Sequence, residues 1–338
     1  MRYFTLFLFL ATGSIGFAHE HSNSFAPQPN SALVAGVQRA IAYSGFREGQ
    51  HPDRGDGAAL PSKAEILEDL EILTQHGFHF IRLYDSDQNS LDVLKVIRDH
   101  ELPVKVMLGA WLDAEKSNHE TCGWLSEPIP EEQLAAHRIS NETEVTNAIA
   151  LAKEYSDIIV AVNVGNETLV EWNDHGVPIE RMVGYLRQVR EAIDQPVTTA
   201  ENYRALVNFS PQLQGELDFL GVHTYPIWEE KSIDAAIAYT EENLREVQLA
   251  YPNTPIAIAE AGWTSKGNDL GKLASRESQA RHFKELSTWT ADKNVTLFWF
   301  EAFDEPWKGA PNNPDGAEKH WGLWDVQRHP KPAVELLQ

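Results

Sequence analysis

A chain of 338 residues with 42% hydrophobic and 23% charged residues can bury a large core, which excludes global disorder. Its formal net charge of −22, from 28 basic and 50 acidic residues, sets it against nucleic acid and anionic membranes and suits a neutral or cationic partner.

The N-terminus reads as an export signal. Met1-Arg2 supplies a positive start, residues 4–11 a mostly apolar run, and Gly16-Phe17-Ala18 a small-x-small cleavage site. A signal peptide over 1–18 follows, with the mature chain beginning at His19 and a periplasmic or extracellular destination. The apolar run is too short to span a bilayer, and no other stretch reaches ~18 uninterrupted apolar residues, so integral membrane association is not expected. Cys122 is the single cysteine, so no internal disulfide forms, and it is expected to be passive. Residues 19–32, polar with two prolines, predict a flexible lead-in.

From there residues 33–338 read as one domain of alternating elements. The expected order is strand 39–44, helix 62–76 with Pro61-Ser62 as its start signal, strand 78–84, helix 90–100 and strand 103–109. A polar excursion over 113–138 precedes helix 142–155 and strand 158–165. Then come helix 179–193, strand 197–200, an irregular or weakly helical 204–214, strand 217–223, helix 233–250, strand 256–259, helix 277–291, strand 295–300 and a short terminal helix after Lys331. Eight strands alternating with helices predict a parallel sheet closed as a (β/α)8 TIM barrel. The competing open, doubly wound sheet lacks its Gly-rich phosphate loop after the first strand.

In such a barrel, chemistry gathers at the C-terminal ends of the strands. Those ends carry Tyr43, then Tyr84-Asp85, then Trp111, then Asn166-Glu167, then Asn202-Tyr203, then Tyr225, then Glu260 with Trp263, and finally Glu301 followed by Trp307-Lys308. Aromatics cover the flat faces of sugars, while carboxylates and amides bond their hydroxyl edges. Two carboxylates on opposed strands are what cleavage of a glycosidic bond needs, one to protonate the leaving oxygen and one to attack the anomeric carbon.

Five ordered motifs then resemble glycoside hydrolase family 17: "IRLYDSD" (81–87), "VGNETLVEW" (164–172), "HTYP" (223–226), "AEAGWTS" (259–265) and "FEAFDEPWKG" (300–309). "YSGFREGQ" (43–50) and "HWGLWDVQRHPKP" (320–332) are similar to its bacterial branch. The resemblance implies a retaining barrel enzyme acting on β-1,3-glucan, of the glucan endo-1,3-β-glucosidase type, with no cofactor and no metal. It maps the acid/base onto Glu167 and the nucleophile onto Glu260, and assigns Asn166 to the 2-hydroxyl beside the attacked carbon.

Substrate contacts are expected from Tyr43, Tyr84, Tyr225 and Trp263 as an inner sugar platform, and from Trp111, Trp172, Trp228 and Trp307 for more distant units. Asp85, Asn202, Tyr203, Glu301 and Lys308 are candidates for sugar hydroxyls. The bland alternatives are that Asp85 pairs Arg82 or Arg47, and that Glu301 and Glu305 lock Lys308 in place. A neutral β-glucan is the expected partner of a monomeric protein. The same carboxylate pair would serve a β-glucan transglycosylase, in which a sugar hydroxyl replaces water. A third reading is a barrel that only binds glucan.

Overall fold

The computed structural model describes residues 24–29, 39–53 and 57–337. Eight parallel strands close on themselves in sequence order. They are β1 Arg39–Ala42, β2 Phe80–Arg82, β3 Lys105–Ala110, β4 Ile159–Asn166, β5 Val197–Asn202, β6 Leu220–His223, β7 Ile256–Ala261 and β8 Thr296–Trp299. β8 returns to pair with β1, with Ala40 opposite Phe298. The expected (β/α)8 barrel is the fold.

Outside the barrel run α1 Lys63–Gln75, α2 Gln88–Asp99, α3 Glu131–Glu154, α4 Ile179–Ala192, α5 Tyr203–Asn208, α6 Ser210–Leu213, α7 Ala236–Ala250 and α8 Arg276–Asp292. α1 starts where its signal predicted: Ser62 caps it, with Glu65 reaching back to form a capping box. α3 begins eleven residues before the expected helix, directly after Pro130. Its inward face includes buried Asn141 and Glu144, so polar residues interrupt the apolar period that would have announced it.

Along each strand, side chains alternate between the barrel interior and the helix layer. Ala40, Phe80, Met107, Ala161, Ala200, Phe219, Ala257, Ala259 and Phe298 fill the interior as one separate cluster. Ile41, Ile81, Val106, Val162, Val222 and Ile258 face the helices. Two residues beyond Phe80 and four beyond Phe219, the inward positions become Arg82 and His223, both fully buried. The apolar plug thus ends in a polar floor at the C-terminal mouth.

The expected signal peptide lies outside the described residues. Residues 24–29, expected to be a flexible lead-in, dock on the barrel's opposite end. Phe25 is fully buried, with its ring 5.6 Å from Trp289. The Gln28 amide takes both polar groups of Ile256, accepting from its N–H (2.6 Å) and donating to its carbonyl (2.7 Å). A buried aromatic and a paired amide outweigh the polar composition of this stretch. No described helix is long and apolar enough to cross a membrane.

Candidate active site

Strict alternation would turn Glu260 outward, because Ala257 and Ala259 face in. The strand avoids this with a bulge: Ile258 pairs with Leu297 but Ala261 with Trp299, so β7 carries one extra residue against β8. β4 does the same against β5, between Asn163–Thr198 and Asn166–Ala200. Gly165 occupies this second bulge at φ 74°, where a Cβ would sit 3.0 Å from Thr168 and 3.2 Å from Met182. The Asn163 amide pins it by donating to the Gly165 carbonyl (2.8 Å). Glu167 follows in the left-handed region at φ 51°, a conformation that non-glycine residues rarely adopt. Its N–H donates to Ala200 O (2.8 Å), and Asn173 Nδ2 donates to its carbonyl (3.2 Å). Just beyond, the fully buried carboxylate of Glu201 on β5 accepts from Thr168 N–H (2.9 Å), Thr168 Oγ1 (2.8 Å) and Leu169 N–H (3.2 Å).

The two bulges aim Glu167 and Glu260 at one nitrogen. His223 Nδ1 lies 2.9 Å from Glu167 Oε1 and 3.5 Å from Glu260 Oε2. These two legs together hold the oxygens closer than the ~6.5 Å at which inverting geometry begins. Glu260 also accepts from Arg82 Nη1 (2.8 Å), Tyr84 Oη (2.9 Å) and Tyr225 Oη (2.7 Å). Arg82 Nη1 donates as well to the Ala259 carbonyl at the bulge (2.9 Å), and Nη2 to Asn166 Oδ1 (2.5 Å).

Burial alone would raise the pKa of Glu260. The His223 imidazole, the Arg82 guanidinium and the hydroxyls of Tyr225 and Tyr84 outweigh it, and the carboxyl titrates below the ordinary range. Burial, reinforced by the Glu260 charge, holds Tyr84 and Tyr225 well above the usual tyrosine range, so both remain protonated donors.

Of the expected site residues, the structure gathers Glu167, Glu260, Asn166, Tyr84 and Tyr225. The two tyrosines point their hydroxyls at Glu260, so they are donors to a carboxylate and not only an apolar platform. Trp228 lies on the rim, 41% exposed, against Trp321 (5.8 Å), which in turn packs on Tyr225 (5.3 Å). Trp172 is 44% exposed on the loop after β4. Trp111 is half-buried over His175, with ring centroids 4.7 Å apart.

Lys308 contacts both Glu301 Oε2 and Glu305 Oε2. Burial works against its charge, but the two carboxylates hold its pKa above the ordinary lysine range. Burial pushes the Glu301 carboxyl well up, although Lys308 opposes this. Glu301 Oε1 is buried with no hydrogen-bond partner among the described residues. Trp307 donates its indole N–H to Glu305 (3.0 Å).

Other expected contacts are turned elsewhere. Tyr43 is buried with its hydroxyl on Asp69 (3.2 Å), inside the ion pair Arg328–Asp69 (2.7 Å) that straps the C-terminal segment to α1. Trp263 is fully buried against His282 and donates to Leu273 O (2.9 Å). Asn202 caps α5 by accepting from Arg204 N–H (3.0 Å). Tyr203 is buried beside Tyr239 and Arg204. Asp85 pairs neither Arg82 nor Arg47; it accepts from Ser90 Oγ (2.8 Å) and Asp87 N–H (3.2 Å) at the start of α2. Strand-end position alone placed these five in the site; parity and capping send them away from it.

Arg82, His223, Asn173, His175 and Glu201 are site groups that the sequence reading did not single out. Arg82 and His223 carried a signal. Each is a polar residue ending an apolar strand, in step with an inward phenylalanine. Among the described residues, no group of three or more His, Cys, Asp or Glu could hold a metal ion.

Comparison with known proteins identifies the family. The BtgE/BtgC glycoside hydrolase domain matches residues 40–322. A putative glucan endo-1,3-beta-glucosidase btgC of Aspergillus niger is 28% identical over 82% of this chain, which spans 40% of that relative. A glucan 1,3-beta-glucosidase of Arthroderma benhamiae is 27% identical, covering 82% of this chain and 86% of its own length. Among solved structures, an endo-laminarinase from Formosa Hel1_33_131 superposes with TM-score 0.73 at 27% identity, covering 88% of this chain and 86% of its own. A glycoside hydrolase family 17 beta-1,3-glucanosyltransferase from Rhizomucor miehei shares the fold, with TM-score 0.67 at 22% identity over 87% of this chain and 95% of its own. These curated relatives are fungal. The match over nearly all of the barrel shows that the chain belongs to the BtgE/BtgC glycoside hydrolase family.

Proposed function

We propose that this protein is an exported, monomeric hydrolase of a neutral β-1,3-glucan, working with retention through a glycosyl-enzyme. The observation that carries the reading is the convergence of Glu167 and Glu260 on His223 Nδ1. Retention needs a carboxylate pair ~5–5.5 Å apart, and inversion needs room for a water between them. The activities named for the relatives support the choice of linkage, and the likeness of 43–50 and 320–332 to bacterial members belongs to the same reading.

Glu260, kept ionised by three hydrogen-bond donors and the nearby His223 imidazole, attacks the anomeric carbon. Glu167 protonates the glycosidic oxygen as the bond breaks. Glu167 then takes a proton from the incoming water, and the water oxygen displaces Glu260. Arg82 occupies Asn166 Oδ1, which leaves the amide N–H2 to donate to the sugar 2-hydroxyl. Trp228, Trp172 and Trp111 supply platforms further along the chain of sugars, with Glu301, Lys308 and Trp307 contributing from the segment after β8.

A time course on a linear laminari-oligosaccharide tests this, with products sized by chromatography and their anomers read by proton NMR. Shorter products released first as the β-anomer are expected. Release of the α-anomer would overturn retention. Products longer than the substrate would mean transfer to a sugar in place of water, and no products at all would mean a glucan-binding barrel.

A further inference from the structure

His175 sits in the loop after β4, eight residues beyond Glu167, and both of its ring nitrogens face groups that can only accept. Nδ1 lies 3.1 Å from Asp174 Oδ1, and Nε2 lies 2.8 Å from the Asn166 carbonyl oxygen. Neither a carboxylate nor a backbone carbonyl brings a proton. Each nitrogen must therefore carry its own, which makes the ring an imidazolium. The Trp111 ring, 4.7 Å away and tilted by 37°, lends its π face to that cation. Burial opposes the charge, but the bonds to Asp174 and Asn166 and the nearby Glu167 outweigh it, and the pKa is raised above the ordinary histidine value.

The contact falls where the backbone needs help. β3 last pairs with β4 at Ala110–Val164, so the Asn166 carbonyl stands beyond that ladder. The next residue is Glu167, in its left-handed conformation. We propose that His175 is a positioning residue for Glu167: as a standing imidazolium it clamps the Asn166 carbonyl at the exit of the bulge and keeps a positive charge beside the acid/base. This rests on the reading of Glu167 as acid/base. The charged groups facing the ring are Asp174 from its own loop and Glu167 from the end of β4, with His223 on the far side of Glu167. From the chain leaving β3 it meets Trp111, and Lys116 reaches the neighbouring Gly176.

Two measurements on the full chain test it. In protein labelled with [15N]histidine, the His175 signals, assigned by their loss in His175→Gln, should show both nitrogens protonated near pH 7.5 and a titration midpoint above that pH. Asp174→Ala should move that midpoint down. In kinetics, His175→Gln keeps one donor but no charge, and should lower kcat on laminarin by roughly ten- to a hundredfold with KM little changed. The loss should be much smaller on an aryl glucoside whose leaving group needs no proton. In a Glu167→Gln background the same substitution should add no more than about twofold, because both residues act through one group. A neutral His175 ring near pH 7.5, or full multiplication of the two losses, overturns the proposal. A Glu167→Gln variant that cleaves laminarin at the wild-type rate overturns the acid/base reading instead, whatever the NMR shows of the ring.

Discussion

Arg82 Nη1 lies 2.8 Å from Glu260 Oε1 across the barrel mouth, and the same guanidinium holds Asn166 and the Ala259 carbonyl. One fully buried residue from β2 thus fixes the tips of β4 and β7, which carry the two carboxylates. Only a planar fork can serve all three acceptors, since a lysine ammonium has neither the shape nor the second reach. Arg82→Lys is expected to lower kcat on laminarin by ~10²-fold or more, because small displacements of reacting groups cost that much. It should also lower the melting temperature, since buried partners lose their donors. Full activity in a folded Arg82→Lys variant would sink the assignment.

Tyr84 and Tyr225 both donate to Glu260, and each bond favours the ionised carboxylate. Removing one should raise the Glu260 pKa. Glu260 must be ionised to attack, so the acid limb of kcat/KM should move to higher pH in Tyr84→Phe and in Tyr225→Phe. A hydrogen bond to a charged group is worth ~1.5–3 kcal/mol, so the shift should be about one pH unit or more. Unmoved acid limbs in both variants would mean that Glu260 does not set them.

The roles of the two carboxylates separate by rescue with azide. Glu260→Ala should be nearly inactive on laminarin but recover on an activated β-glucosyl fluoride with azide, giving the α-azide, because azide takes the nucleophile's place. Glu167→Ala should keep activity on substrates whose leaving group needs no protonation, and azide should then give the β-azide by attacking the glycosyl-enzyme. Opposite anomers would reverse the assignment.

The barrel was legible because period-two strands and helical stretches alternate from Arg39 to Trp299. Glu167 and Glu260 were legible through their motifs, but their orientation was not. It depends on one-residue bulges in β4 and β7, and alternation alone would turn Glu260 outward. Tyr43 and Trp263 show the converse. Both stand at strand ends, yet Tyr43 is committed to Asp69 and Trp263 to Leu273 O, partners far away in sequence or behind the barrel wall. The polar inward face of α3 hid that helix's first half, and the same face holds a residue with its own consequence.

That residue is Glu144. It is buried, and its Oε1 accepts from the N–H groups of Ser86 (2.6 Å) and Trp111 (3.0 Å), so α3 ties together the chain leaving β2 and β3. Burial, with the Asp87 charge adding to it, pushes its pKa up to about 8. The unfolded chain would release this proton near ~4.3, so the native state binds it more tightly. The stabilisation is therefore fully present below ~4.3, declines as pH rises, and is gone above the folded pKa. Glu144→Gln keeps an acceptor for both N–H groups and has nothing to titrate. All other groups are shared by the two proteins and cancel in the comparison. Thermal melts at about pH 5 and about pH 9 should thus show wild type gaining least over Glu144→Gln at the higher pH, where its carboxylate is charged and buried. A melting-temperature difference that stays constant across this range would mean that Glu144 does not change its protonation on folding.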